Sequence, residues 1–333
     1  MRDNMILISN LAKKILERSN SYKYYRNEFE QNKKRIKRLE EIEATNNRLI
    51  NTIFLDYELT PTPIHQKFID LSMEYLTFID NVCQKHDIEW WIEGGNLLGA
   101  VRHNGAFIPW DDDIDGGMLR KDYNRFIDEV FPSEIEKYGL SNNINIDFKK
   151  RRVQGKRVYA FAQLFYKDDV RNSPNLTALD IFPYDFKKDY EGEDLGNEFE
   201  EVRQKFYKDM IDGLDLETIL KRYYENFNLS YEKQDYMLPG VEGGYGPKDV
   251  FPYTRYATEK MLPLDRINFN GVMLPCPNDP DYYLTIHYKN YRNIPQVLTF
   301  HNRMKKLRRT EDIVEILDDN IEKLKKVNEE FEW

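Results

Sequence analysis

The sequence predicts an α/β fold, and three observations carry that expectation. Phe68, Leu71, Tyr75, Phe78, Ile79 and Val82 recur at three- and four-residue steps after Pro61 and Pro63, which marks an amphipathic helix ending near His86. The runs RVYAFAQLFY (157–166) and LTALDIFPYDF (176–186) are aromatic and apolar at strand length. Between the helix and these runs, IEWWIEGG passes from a strand (Ile88 to Glu93) through a glycine turn into a short helix, followed by a strand from Ile114 to Leu119 and a helix from Lys121.

The remaining elements follow from the same patterns. Asp194 to Phe227 is helical in spacing, Pro239 to Pro252 is a loop rich in glycine and proline, short strands surround Ile267 to Met273, and a last helix runs from Arg308 to Phe331. Residues 1–60 are set apart by their Lys, Glu and Asn content and near lack of Gly and Pro, and predict a helical extension. Within it Met5, Ile6, Leu7, Leu11, Ile15 and Leu16 lie beside Lys13, Lys14 and Arg18, a pattern that suits an anionic membrane surface, packing on the chain's own core, or pairing with a second copy. The division expected is an extension (1–60), a main α/β unit (61–307) and a C-terminal helix (308–333).

Composition narrows the function. The 333 residues carry 49 Lys and Arg against 58 Asp and Glu, a net charge of −9, which argues against nucleic acid as a partner. With 41% hydrophobic and 14% aromatic residues the chain can build a sizeable core. Cys83 and Cys276 are the only cysteines and lack zinc-ligand spacing, so both are expected as reduced core thiols. No apolar run approaches the ~20 residues of a membrane span, and the apolar stretch at the start is too short for a secretory signal; the expected location is cytoplasmic, with peripheral contact at the inner membrane face.

The chemistry concentrates around Asp111, Asp112, Asp113 and Asp115, beside Phe107, Ile108 and Trp110. Carboxylates this crowded repel one another unless a cation or strong donors hold them. The segment admits a solvated loop, an EF-hand calcium loop (Asp111, Asp113, Asp115, Gly116, with Asp122 in the twelfth place) or a strand. In a strand Asp113 and Asp115 face the same side about 6.5–7 Å apart, with Ile114 toward the core. Asp180, an acid between Leu179 and Ile181 in a strand pattern, would supply a third carboxylate from a neighbouring strand. Such a trio suits Mg²⁺ on phosphate oxygens. Gly94, Gly95 and Asn96 open a helix whose N–H groups can approach a phosphate, Arg102 is a candidate phosphate clamp, and His103 is read as structural. Trp90, Trp91 and Trp110 are candidates to stack on a base or enclose a quaternary ammonium, or else pack in the core.

The string GGNLLGAVRHNGAFIPWDDDIDGGMLRKDY, with LDIFPYD downstream, closely resembles the LicD family of phosphocholine transferases and their fukutin-related ribitol-phosphate relatives. The likeness runs from about Pro63 to Pro295 if MLPLDRINFNGVMLPCPNDPDYYLTIHYKNYRNIP is counted as a less exact C-terminal signature. It implies a nucleotidyltransferase-type mixed sheet flanked by helices and metal-dependent transfer of a phospho-alcohol from a CDP-activated donor to a sugar hydroxyl, releasing CMP. The cargo implied is phosphocholine first, with glycerol or ribitol phosphate as alternatives, and the acceptor a cell-surface glycan on a lipid carrier. Carried across, the glycine motif falls on Gly94 and Gly95, the metal carboxylates on Asp113 and Asp115 and the third acid on Asp180, with Asp111 and Asp112 in support and Mg²⁺ or Mn²⁺ as cofactor; read from the residues themselves, Arg102, Asn96 and Trp110 are the further donor-side candidates. Two departures stand out: Asn96 replaces the usual hydroxyl residue, and Gly116-Gly117 replaces an apolar pair.

Overall fold

The computed structural model describes residues 20–56, 60–153, 156–187, 195–243, 254–293 and 303–333. The chain divides into two compact units, Met1–Leu59 with Asn293–Leu298, and Thr60–Arg292 with Thr299–Trp333. In the first, α1 (Asn20–Asp56) is a 37-residue helix on which Tyr24, Phe29, Ile36, Leu39 and Leu49 are exposed. The Met5 to Leu16 stripe lies outside the described residues.

The second unit is built on a mixed sheet. Its strands are β1 (Trp90–Ile92), β2 (Ile114–Leu119), β3 (Ile144–Val153), β4 (Lys156–Tyr166) and β5 (Thr177–Lys187), in the order β1-β2-β5-β4-β3. Only β2 and β5 run parallel among these neighbours. β5 changes partners along its length: Thr177 to Ile181 pair with β4, whereas Tyr184 to Lys187 pair with β7 (Tyr236–Pro239). Pro183 sits at the changeover, where its missing N–H costs no bond to either strand. β6 (Leu229–Ser230) also pairs with β5, and β8 (Tyr256–Ala257) pairs with β7.

The helix predicted up to His86 is α2 (Pro63–Lys85), started by Thr62, whose hydroxyl accepts from His65 N at 3.4 Å, and by Pro63 in the first turn. It lays Phe68, Leu71, Tyr75, Phe78, Ile79 and Val82 against the sheet, all fully buried. Beyond β1 comes α3 (Gly94–Arg102); beyond β2 come α4 (Arg120–Arg125), a wide turn over Phe126–Val130, and α5 (Phe131–Lys137). The helical stretch expected over 194–227 is two helices, α6 (Leu195–Ile211) and α7 (Leu216–Phe227), separated where Gly213 takes φ +86°. After the short α8 (Thr258–Met261), β9 (Asp265–Phe269) and β10 (Val272–Cys276) form a hairpin whose turn residues Asn270 and Gly271 both have positive φ, the twist that suits a two-residue turn. Then α9 (Pro280–Tyr288) follows. Both cysteines are buried and free.

The C-terminal helix begins later than its spacing predicts. Arg303–Leu307 form a separate helix, α10, and α11 spans Ile313–Glu329. Asp312, at φ 53°, turns the chain between them. α11 is fastened across the unit: the Tyr166 hydroxyl donates to Asn320 Oδ1 at 3.1 Å, and Asn328 Nδ2 donates to Glu74 O at 3.0 Å.

The Gly116-Gly117 departure has a packing cause. Gly117 pairs with Trp91 across β1 and β2, and a Cβ there would overlap the Trp91 indole, which is itself pinned edge-on to Tyr184 with ring centroids 4.9 Å apart. Gly117→Ala is therefore expected to destabilise the fold by about 1–3 kcal/mol through overpacking, read as a lower midpoint in chemical denaturation; an unchanged midpoint would contradict this packing.

Candidate active site

The acidic segment folds as the strand reading requires. β2 starts at Ile114, so the stretch with calcium-loop spacing is occupied by a strand and no helix–loop–helix forms there. Asp115 lies directly opposite Asp180 in the parallel β2–β5 ladder, and register partners in adjacent strands share a face. Alternation adds Asp113, Gly117, Phe182 and Tyr184 to that face, while Ile114, fully buried, points to the other. Gln163, opposite Asp180 in β4, donates Nε2 to Asp180 Oδ1 at 2.8 Å.

The start of α3 closes against these acids. Gly94 adopts φ +56°, open to glycine at little strain, and a Cβ there would stand 2.9 Å from Asp115 Oδ2. A Cβ on Gly95 would overlap Asp111 Oδ2. No side chain caps this helix, so its positive end is presented to the carboxylates. Asn96 is buried and spent on the backbone: its Oδ1 accepts from Asp115 N at 2.6 Å and its Nδ2 donates to Asp113 O at 3.3 Å. One amide thus ties α3 to the first residues of β2, a span that a shorter hydroxyl would not bridge at both ends.

Burial sets the electrostatics. It pushes the Asp115 carboxyl well above the ordinary range, and the charges of Asp113, Asp180, Glu93 and Asp111 push it the same way. Asp111 is raised by burial and by Asp113. Asp180 is raised by burial, with the Gln163 hydrogen bond and the Lys149 charge pulling back. Glu93 is carried up to about 8 by burial, against the pull of Tyr184 and Trp91 beside it.

The other expected residues divide. Trp90 pairs with Met118 on the opposite face and donates Nε1 to Asp80 Oδ1 at 3.0 Å, so it is a core residue and turns away from the acids. Trp91 is on the acid face but fully buried over Gly117. Trp110 is partly exposed and stands edge-on to His103, centroids 6.2 Å apart. Burial lowers His103 to about 4, as a structural imidazole. Arg102 donates Nη1 to the Tyr291 carbonyl at 2.9 Å. Asp112 is buried and accepts from Met304 N at 2.8 Å, the second residue of α10.

Four residues of the site escaped the sequence reading. Glu93 had a signal, an acid ending an apolar strand just before the glycines. Gln163 faces outward from β4 by simple alternation. Lys149 lies where the β3–β4 register slips, an irregularity that re-aims side chains. Arg303, on α10, carries no local signal, yet the charges of Asp113, Asp112, Asp180 and Asp115 all act on it.

The donor set fits a hard divalent cation. Every ligating group on the face is a carboxylate oxygen, raised by burial next to like charge, which is the condition a cation relieves. Among the described residues no three His, Cys, Asp or Glu side chains are already gathered at metal-binding distance. Mg²⁺ typically takes one or two protein carboxylates and completes its shell with phosphate and water.

Residues 87–225 match the family described as LicD/FKTN/FKRP, nucleotidyltransferase domain. The chain is 25% identical over 257 residues to the lipopolysaccharide cholinephosphotransferase LicD of Haemophilus influenzae, covering 68% of this chain and 90% of that protein. It is 43% identical over 49 residues to the human ribitol 5-phosphate transferase FKRP, a stretch that makes up 15% of this chain and 10% of FKRP, and 55% identical over 42 residues to the uncharacterized Rickettsia typhi protein RT0683, 13% of each chain. The matched stretch takes in α3, β2 and β5 with their acids and glycines, and over it this chain is similar to the LicD/FKTN/FKRP nucleotidyltransferase domain.

Proposed function

We propose that the chain is an enzyme that transfers a phospho-alcohol, phosphocholine first, from a CDP-activated donor to a hydroxyl of a glycan, with release of CMP. The observation that carries this reading is the pairing of Asp115 with Asp180 on one sheet face, with Asp113 beside them and the uncapped start of α3 closing over the same face. The family match supports transferase chemistry, and the cholinephosphotransferase likeness, which runs over most of both chains, supports the cargo.

Asp113 and Asp115 would hold Mg²⁺ or Mn²⁺, with Asp180 sharing the site. When bound, the cation supplies neutralisation of the charge that builds on the departing CMP. The chain's own groups do the rest. The peptide N–H groups at Gly94 and Gly95 donate to phosphate oxygens at the positive end of α3, and the missing side chains let the Asp115 and Asp111 carboxylates close against that end. The acceptor hydroxyl oxygen attacks the phosphorus that carries the alcohol. The bond from that phosphorus to the CMP oxygen breaks, and the hydroxyl proton passes to Asp180, oriented by Gln163. Asn96 fixes the angle between α3 and β2, so that the glycines and the acids stay opposed. Trp110, partly exposed beside the acidic run, would contact the donor.

A polyol-phosphate donor is the competing reading, supported by the higher identity to FKRP over a shorter stretch of 49 residues. Incubation with CDP-choline, CDP-glycerol and CDP-ribitol plus Mg²⁺, followed by CMP release, separates the two; release from none of the three would refute both. Asp113→Asn and Asp115→Asn should each keep the melting temperature and lose turnover by about two orders of magnitude or more, and chelation should abolish turnover reversibly. Asn96→Ala should lower stability by about 1–3 kcal/mol, the cost of stranding buried backbone groups, together with kcat; full activity would show that the α3–β2 angle does not matter.

A further inference from the structure

Arg303 is placed with some care. Its helix, α10, starts where Met304 N donates to Asp112 Oδ2, and Leu307, fully buried, anchors the other end. The bracket therefore comes from the middle acid of the WDDDID run, an aspartate that the cation site does not use. Arg303 Nη1 is buried and makes no hydrogen bond. The charges around the guanidinium come from two strands and the turn before them: Asp112, Asp113, Asp115 and Asp180. Lys149, approaching from β3, acts on Asp180 in the same sense as Arg303. Arg102, by contrast, has a guanidinium nitrogen committed to the Tyr291 carbonyl.

An arginine brought to the centre of a carboxylate cluster, with a buried N–H left over, suits two successive partners. Against carboxylates alone it is a counter-ion. Once a divalent cation has taken over that duty, its planar fork is free for a phosphate, for which guanidinium geometry is matched. We propose that Arg303, held in place by Asp112, is the side chain that binds the donor's diphosphate, and that it serves as resident counter-ion to Asp113, Asp115 and Asp180 until the cation arrives. This role rests on the transferase reading above and goes beyond it, because it assigns the phosphate clamp to a residue outside the matched domain.

The two duties predict opposite signs, which separates them from a merely structural role. Binding is measured by calorimetry on the full chain with Mn²⁺ alone, and then with inorganic pyrophosphate in the presence of saturating Mn²⁺. Arg303→Gln removes a competing positive charge and should tighten Mn²⁺ alone by roughly three- to tenfold. The same variant should weaken pyrophosphate by about ten- to a hundredfold, the loss of charge-assisted hydrogen bonds. Arg303→Lys should keep the Mn²⁺ affinity of the parent and lose part of the pyrophosphate affinity. Asp112→Ala, which leaves the arginine but removes its bracket, should weaken pyrophosphate in the same direction and serves if Arg303→Gln fails to fold. Pyrophosphate binding unchanged in both variants, or both ligands weakened together with a fallen melting temperature, overturns the proposal, as does a parent chain that binds no pyrophosphate. Arginine-dependent pyrophosphate binding without turnover of any CDP-alcohol would leave the clamp standing and remove the transferase reading instead.

Discussion

The constraint on which the rest of this structure depends is the cost of holding several carboxylates together on one buried sheet face. Asp113, Asp115 and Asp180 converge there with Asp111 and Glu93 close by, and burial and mutual repulsion both work against their charged forms. Local features make the arrangement tenable. The glycines of α3 leave space for the carboxylates, the uncapped helix end offers them positive potential, and Gln163, Lys149 and Arg303 supply donors or charge from three other elements. Catalytic sites are where such unrelieved crowding is retained.

A second buried charge set on the same sheet shows what full relief looks like. Asp185, next to Tyr184 in β5, alternates to the side opposite Asp180 and accepts two hydrogen bonds of 2.8 Å from Arg120. Glu242 and the Tyr224 hydroxyl complete that cluster. Arg120 there has every neighbour it needs, and nothing in the cluster calls for a ligand. The acid face differs in that burial and neighbouring like charge hold Asp115 and Asp111 above the ordinary carboxylate range, with Asp180 raised beside them. The contrast between a closed ionic set and an open one distinguishes scaffold from site within one β-strand.

Much of this was legible in the residues. Acids two apart in a strand must share a face, and a lone aspartate between Leu179 and Ile181 must answer to something, so the trio could be read before its strands were seen to be neighbours. Alternation also decides that Trp90 and Trp91 cannot both serve the site. What stayed hidden depends on long-range placement. Arg303 sits in an ordinary basic stretch, and only the bond from Met304 N to Asp112 gives it meaning. β3 was missed because its edge position leaves Asp147, Lys149 and Lys150 among its residues, which blurs the two-residue period. The last helix starts at Ile313 rather than at Arg308 because residues 308–312 hold no apolar position to fix a first turn and Asp312 takes a positive φ.

The bond between Asp112 and Met304 also has a consequence for synthesis. The two residues are 192 positions apart, so an emerging polypeptide can assemble the sheet and its acids well before the stretch that supplies their arginine has left the ribosome. During that interval Lys149 of β3 is the cation already made beside Asp180, and the guanidinium of Arg303 is still to come. On the role proposed for Arg303, the nascent domain is most cation-hungry before α10 emerges, and α10 then moderates that appetite.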